Sequence, residues 1–450
     1  MIRDSIKIND KYEFEIKVGY DLHEKNQKIS YDIDAYFFIP TSWGINKETY
    51  SKADFYDDMQ VCLRFETPSF LLDDFAHSDH EIYGFLSTAM ETMIKSRTIE
   101  NIQKYENQLK MFCCIFRAAL SDYVSFIDTR KNLQDEEIAI PKFFKGVKAV
   151  AQNFRAMRKI ITIPTFDEKL FSLYLFADEY ISLLIEKYSF EIIQSLETHQ
   201  MKKRTLLEPL EELVRSENSY RVENKYPSVI RADESNEVFL YRGSVLKKYM
   251  RSILNLNVER QMEDKIIEHF LFAIAAGISM VVATAIAFYS QIQLGNLTFS
   301  LFVALVISYM MKDRIKELAK QFFASQLRKY LYDHKEKILY SPTQVIGVCT
   351  ETVDFCNTKS VPDKIHKIRN GDHFSEIESG WVGQHIIRYK RSIELFSQKI
   401  TETFHNYRVK TVNDIIKFNV SKFLAKMDDP QRILFYLAEG GVKSFSSERA

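Results

Sequence analysis

The densest group of residues that could do chemistry lies at positions 73–80 and reads DDFAHSDH. On a helix, Asp73 and His77 would be four residues apart and His77 and His80 three apart, so their side chains would share one face. Carboxylate oxygens and imidazole nitrogens are ligands of divalent metals, so these three residues are candidate metal ligands. The cluster lacks the HExxH pattern of zinc hydrolases. A polar helix start that is capped by an aspartate explains it as well.

A second group of metal-ligand types lies nearer the C-terminus. Cys349 and Cys356 have six residues between them and are followed by His366, His373 and His385. Structural zinc sites generally have two to four residues between paired cysteines. The wider spacing here favours buried free thiols over a zinc site. The chain has five cysteines in all, and their irregular spacing is typical of reduced thiols in the cytosol rather than of a disulfide framework.

No motif identifies an enzyme. The sequence has no Gly-rich phosphate loop, no GxSxG elbow and no kinase or deaminase signature. It therefore predicts no catalytic residue and identifies no cofactor. Lys+Arg and Asp+Glu each number 61, and the formal net charge is zero. This balance gives no evidence for nucleic acid as a partner.

Residues 270–311 form a continuous stretch without a charged side chain. As a helix, its first part, 270–289, would span about 30 Å, which is the thickness of the hydrocarbon core of a bilayer. The second part, 292–311, must share the polar tip around Gly295 and Asn296. Neither part has the polar stripe of a helix that packs in a soluble core. The sequence therefore predicts a two-helix transmembrane hairpin at 270–311.

Small residues recur every four positions on both predicted helices, which lets helix backbones approach closely in a membrane. These residues are Ala275, Ser279, Ala283 and Ala287 on the first helix and Ser300, Ala304 and Ser308 on the second. We expect the two small faces to pack against each other within the hairpin. A second small track, Ala273 and Gly277, could join neighbouring copies into a homo-oligomer.

Basic residues flank the predicted hairpin on both sides and are absent from its tip. Because basic residues stay on the cytoplasmic side, both termini are predicted to face the cytoplasm. Lys312, Arg314 and Lys316, directly after the second helix, suit anionic lipid headgroups. The predicted localisation is a bacterial inner membrane, with two spans.

The soluble portions show two kinds of periodicity. Apolar residues alternate in 12–20 and 28–39, which predicts an antiparallel β-hairpin. From about residue 81 the period becomes helical, and we expect long helices near 81–127, 141–161, 165–199 and 203–216. After the membrane segment we expect strands at 344–355 and 385–396, a helix at 411–427 and a terminal hairpin at 433–445.

The fold class that follows is an α+β membrane protein in which a transmembrane hairpin separates two cytoplasmic regions. The N-terminal region is mainly helical with a small antiparallel sheet, and the smaller C-terminal region is α+β. Its parts are a cytoplasmic domain (1–236), a juxtamembrane helix (237–269), the hairpin (270–311) and a cytoplasmic α+β domain (312–450).

Three functions fit this architecture, and all three have the lipid bilayer as a partner. The first is a non-enzymatic, membrane-anchored scaffold, sensor or adaptor of unknown ligand, which needs the fewest additional assumptions. The second is an oligomeric pore-forming or membrane-disrupting effector. The third is a membrane-tethered, metal-dependent hydrolase that uses Asp73, His77 and His80.

Overall fold

The structure is a computed structural model, and it describes most of the chain. The described residues are 2–22, 28–129, 133–162, 167–198, 204–231, 235–260, 264–294, 299–330, 332–341, 344–369, 371, 383–403, 407, 409, 411–426, 431–438 and 441–448.

The helices fall into a central bundle, a long apolar pair and several short segments. They are α1 (Lys52–Asp58), α2 (Leu72–Phe75), α3 (Glu81–Lys95), α4 (Ile99–Thr129), α5 (Leu133–Ala156), α6 (Arg158–Ile161), α7 (Glu168–Thr198), α8 (Arg204–Glu223), α9 (Glu237–Arg251), α10 (Asp264–Leu294), α11 (Phe299–Tyr330), α12 (Asp363–Arg369), α13 (Ser397–Thr403) and α14 (Ser421–Leu424).

The strands come from both ends of the chain. They are β1 (Ile2–Ile8), β2 (Glu13–Asp21), β3 (Ile29–Pro40), β4 (Met59–Phe65), β5 (Asn257–Arg260), β6 (His334–Ser341), β7 (Gln344–Cys356), β8 (Gln384–Leu395), β9 (Thr411–Asn419), β10 (Gln431–Ala438) and β11 (Gly441–Glu448).

Two antiparallel sheets combine strands that are far apart in sequence. One has the order β1-β2-β9-β4 and the other β3-β8-β7-β6-β5, while β10 and β11 form a separate hairpin. The predicted hairpin of 12–20 with 28–39 was wrong, because β2 pairs with β9 and β3 pairs with β8. The N-terminal and C-terminal regions therefore do not carry separate sheets, and the predicted fold class was wrong in this respect. The fold is α+β, and its two larger sheets each combine strands from both regions.

Aromatic side chains fill the space between the two sheets. Phe14 of β2, Phe37 of β3, Phe55 of α1 and Phe418 of β9 pack with ring centroids 5.2–6.3 Å apart. Inward-facing aromatic rings of this kind hold two stacked sheets together. The larger core lies beside the sheets, where α4 and α7 form the centre of the helical bundle and bury residues such as Phe112, Phe116 and Ile181.

The prediction of a two-helix transmembrane hairpin was wrong. Among the described residues, one segment, His269–Gln293 of α10, is long and apolar enough to cross a membrane, and 11% of it is buried. Because α10 runs on to Leu294, it contains residues that the second span was expected to include. The described apolar part of α11, residues 299–311, would cover about 20 Å at 1.5 Å per residue, less than the hydrocarbon core requires. The predicted localisation, with two spans and both termini cytoplasmic, therefore has no support.

Replacing Gly347 of β7 with alanine should lower the free energy of unfolding by about 1–3 kcal/mol, the typical cost of overpacking. A Cβ at this position would lie 2.6 Å from the carbonyl oxygen of Glu394 and 2.9 Å from Cδ2 of Leu395. Urea unfolding of the purified chain measures the change. Gly84 of α3 is the control, because nothing lies within 4 Å of its Cβ position and alanine favours a helix. Equal stability of G347A and G84A would contradict the expected clash.

Candidate functional site

The residues of the predicted Asp/His metal cluster lie on α2, in the turn after it and just before α3. Asp73 is exposed on α2, which ends at Phe75, and His77 is exposed in the turn that follows. His80 precedes α3, and its Nδ1 accepts a hydrogen bond from the N–H of Ile82 at 3.4 Å. The shared helical face assumed from the spacing does not form. Among the described residues, no group of three or more His, Cys, Asp or Glu side chains could hold a metal ion.

The C-terminal cysteines lie on β7. Cys349 is fully buried, and burial raises the pKa of its thiol well above the ordinary value. Cys356 is half-buried at the end of the strand. The imidazole Nε2 of His366 lies 3.0 Å from the carbonyl oxygen of Thr358. His385 lies on β8, and His373 falls outside the described residues. A buried thiol with a raised pKa is unreactive, as expected for a core position.

The helices α10 and α11 pack side by side in opposite directions. Ala275, Ser279 and Ser308 are buried there, and Ser308 Oγ donates a hydrogen bond to the carbonyl oxygen of Ala283 at 2.8 Å. Further along the pair, Lys320 Nζ lies 5.4 Å from the centroid of the Phe272 ring. Ala283, Ala287 and Ala304 are half-buried, whereas Ser300 is exposed. Small residues thus lie where the two helices meet.

The outward faces of α10 and α11 form an extended apolar surface, which we call the apolar helix surface. Its exposed large side chains include Phe270, Met280, Val281, Phe288 and Ile292 of α10 and Phe299, Phe302, Ile307 and Met310 of α11. Exposed apolar patches of this extent mark sites that bind a membrane or another protein. Lys312, Arg314 and Lys316 follow directly along α11, with Lys312 Nζ 4.0 Å from the centroid of the Tyr309 ring.

Buried charges form a cluster between the two sheets. Arg391 of β8 donates to Asp414 of β9 at 2.8 Å and to Glu351 of β7, and the hydroxyl of Tyr389 also donates to Glu351, at 2.8 Å. All four side chains are buried. Burial raises the pKa of Asp414, and the charge of Arg391 opposes that rise. Since Arg391 connects one sheet to the other, we assign this cluster a structural role.

A second set of buried charges holds the helical bundle together. The guanidinium of Arg221 on α8 donates to the carbonyl oxygen of Ser228 at 2.8 Å, to Ser182 Oγ at 3.0 Å and to the carboxylate of Glu186. Arg221 and Ser182 are completely buried, and Glu186 is 7% exposed. Each nitrogen of the guanidinium therefore donates one hydrogen bond to an acceptor on α7 or after α8.

Of the features predicted from the sequence, two thus remain as candidate binding surfaces: the apolar helix surface and the basic residues that follow it. The sequence identified both as parts of a hairpin, on the basis of composition and spacing. No protein-family model, curated protein or solved structure matches this chain.

Proposed function

We propose that the protein is a membrane-attached scaffold, sensor or adaptor, with a lipid bilayer covering the apolar helix surface. The observation that carries this proposal is the exposure of α10, in which 11% of His269–Gln293 is buried. Burying one large apolar side chain is worth about 1.5–3 kcal/mol. An uncovered surface with this many such side chains is costly in water, and the hydrocarbon of a bilayer removes that cost.

The basic residues that follow the apolar helix surface also support contact with a lipid bilayer. Lys312, Arg314 and Lys316 come immediately after Met311, the last residue of the apolar part of α11. A basic side chain near an anionic membrane surface contributes about 1 kcal/mol to binding. These three residues would therefore contact anionic headgroups when the apolar residues are inserted.

A mechanical link between the helix pair and the sheets favours a sensor or adaptor. Strand β5 precedes α10 and strand β6 follows α11, and the two strands pair through residues such as Val258 and Ile338. Both belong to the five-stranded sheet. A displacement of the helix pair at the bilayer would thus be passed to that sheet directly.

The test is flotation of the full chain with phosphatidylcholine vesicles after removal of detergent. We expect the wild type to float with the vesicles and V281D to float far less, because Val281 is at the middle of His269–Gln293 and is 69% exposed. An aspartate at the centre of an inserted helix costs about 2.5–3.5 kcal/mol, which corresponds to a roughly hundredfold weaker partition.

The control is V238D on α9, where Val238 is 65% exposed but lies outside the apolar helix surface. This variant should float like the wild type. A wild-type protein that stays at the bottom of the gradient, alone or as an oligomer that covers its own apolar residues, would refute the proposal. Equal flotation of V281D and V238D would refute it as well.

A further inference from the structure

A cavity of about 750 Å³ lies between the sheet β1-β2-β9-β4 and the helical bundle. Its walls come from β2, β4 and β9, from the segment that follows β4, and from α4 and the end of α9. A volume of this size is within the range of pockets that bind small molecules. We call it the arginine cleft, after three of its lining residues: Arg64, Arg117 and Arg251.

The three arginines come from separate elements and meet without a neutralising partner. Arg64 is on β4, Arg117 is on α4, and Arg251 is the last residue of α9. All three are half-buried. None has a carboxylate within salt-bridge distance in the part of the chain that the structure describes. Nε of Arg117 is buried without a hydrogen-bond partner there.

Like charges in the arginine cleft disfavour each other. The pKa of Arg64 is lowered, first by burial and then by the charges of Arg251 and Arg117. Other enclosed arginines in the fold do pair with acids, as Arg155 does with Glu217 at 2.6 Å and Arg242 with Glu179 at 2.7 Å. Half-buried cations that repel one another cost free energy unless an anion compensates them. The repulsion among the three arginines therefore favours the binding of an anion in the arginine cleft.

Three acidic residues also line the arginine cleft, and none of them forms a salt bridge with its arginines in the described part of the chain. Asp122 Oδ2 accepts a hydrogen bond from Ser69 Oγ at 2.9 Å, and Asp21 Oδ1 accepts one from Thr411 Oγ1 at 3.1 Å. Glu66 also lines the cavity, and no salt bridge joins it to one of the three arginines.

We propose that the arginine cleft binds a small molecule that carries phosphate groups. A single carboxylate is satisfied by one bidentate arginine, whereas a phosphate group has three acceptor oxygens and a charge of about −1.5 to −2 near neutral pH. Three guanidinium groups from three directions match that charge and that number of acceptors. Thr67, Ser121 and Asn413 line the same cavity, and their hydroxyl and amide groups would complete the contacts to a small organic phosphate.

Replacing Arg117 with methionine should weaken ligand binding without lowering the melting temperature. In R117M the unliganded protein should melt at the same temperature as the wild type or higher, because one repelling charge is gone. The same variant should bind pyrophosphate at least about tenfold more weakly, the typical loss of a charge-assisted hydrogen bond. A purely structural arginine would lower the melting temperature instead. R251M should behave like R117M.

The experiment is calorimetric titration of the full chain with inorganic pyrophosphate and with ATP at low salt, together with thermal melts. The control is R204M on α8, whose side chain is 89% exposed beside Glu208 and should change neither readout. Tighter binding of ATP than of pyrophosphate would identify a nucleotide, and equal binding would show that the phosphates alone are recognised. Absence of binding by either probe at millimolar concentration, or wild-type affinity in R117M, would overturn the proposal. Neither result depends on flotation with vesicles.

Discussion

Replacing Arg391 with methionine should lower the free energy of unfolding by about 3–5 kcal/mol, the usual cost of leaving a buried charge without its partner. Arg391 is 1% exposed. Its removal leaves the carboxylates of Glu351 and Asp414 buried between the sheets without their cationic partner. Methionine nearly preserves the side-chain volume, so the change reports the charge rather than a cavity. Urea unfolding at pH 8 is the measurement.

The matched control for Arg391 is on the same strand. Arg388 is 40% exposed and lies 2.9 Å from Asp34, which is 39% exposed. Because exposed ion pairs contribute about 0–1 kcal/mol, R388M should stay within about 1 kcal/mol of the wild type. If R391M and R388M unfold at the same urea concentration, the buried cluster does not stabilise the junction of the sheets.

The loss in R391M should depend on pH. Burial raises the pKa of Asp414, and removing Arg391 takes away the largest opposing effect. In the unfolded chain an aspartate keeps a pKa of about 3.9. Between the unfolded pKa and the raised folded pKa of Asp414, the folded variant holds a proton that the unfolded chain has released. The stability of the variant therefore falls as the pH rises through that window. We therefore expect R391M to be closer to wild-type stability at pH 5 than at pH 8.

A triple substitution separates charge from packing. In R391M/E351Q/D414N no buried charge is left unpaired, and replacement of buried ion pairs by neutral groups is often tolerated. The triple variant should therefore regain much of the stability that R391M loses. A triple variant as unstable as R391M would show that the guanidinium acts through its shape and its hydrogen bonds.

The second large effect is expected at Arg221. R221M should lower the free energy of unfolding by about 3–5 kcal/mol, because it leaves the carboxylate of Glu186 buried and unpaired. R221K should recover only part of the loss, since an ammonium lacks the planar set of donors that reaches Ser182, Ser228 and Glu186 together. Chemical unfolding followed by circular dichroism measures both variants.

The control for Arg221 is R215M on the same helix. Arg215 is 78% exposed and pairs with Glu211 one turn away at 2.8 Å. Helical pairs of this kind contribute about 0.3–0.5 kcal/mol, so R215M should differ little from the wild type. Full wild-type stability of R221K would contradict the requirement for a guanidinium at position 221.

The long helices could be predicted from the sequence because their apolar period is regular. The helix expected near 165–199 is α7, Glu168–Thr198, and the one near 203–216 begins as α8 does, although α8 continues to Glu223. The expected 81–127 helix is divided into α3 and α4 around Ser96. The spacing of apolar residues indicates which face of a helix is buried. A short break between two helices does not show in that spacing when the apolar residues on either side keep the same period.

Strand β9 shows where such reasoning fails. Residues 411–427 were expected to form a helix, and Val412, Ile415 and Ile416 do have a spacing that is compatible with one. The structure has a strand over Thr411–Asn419 instead, and nearly all of its residues are buried. A strand in the middle of a sheet that is covered on both faces loses the alternation by which strands are recognised. Its partners, β2 and β4, lie hundreds of residues earlier.

The arginine cleft could not be predicted from sequence spacing at all. Arg64, Arg117 and Arg251 belong to three distant elements, and each is surrounded in sequence by ordinary polar and apolar residues. Only the packing of β4, α4 and α9 brings them together. The apolar helix surface could be located from composition, but the number of spans could not, because that depended on where α10 ends.

The pairing of β2 with β9 and of β3 with β8 also has a consequence for biosynthesis. A ribosome makes β2 and β3 long before their partners, since β8 begins at Gln384 and β9 at Thr411. At about 5–20 residues per second, the N-terminal strand edges would wait on the order of twenty seconds or more for those partners. Meanwhile the helical bundle, which takes its helices from residues 81–251, and the apolar α10 have already been made. We therefore expect the nascent chain to assemble its helical bundle before β8 and β9 complete the two sheets.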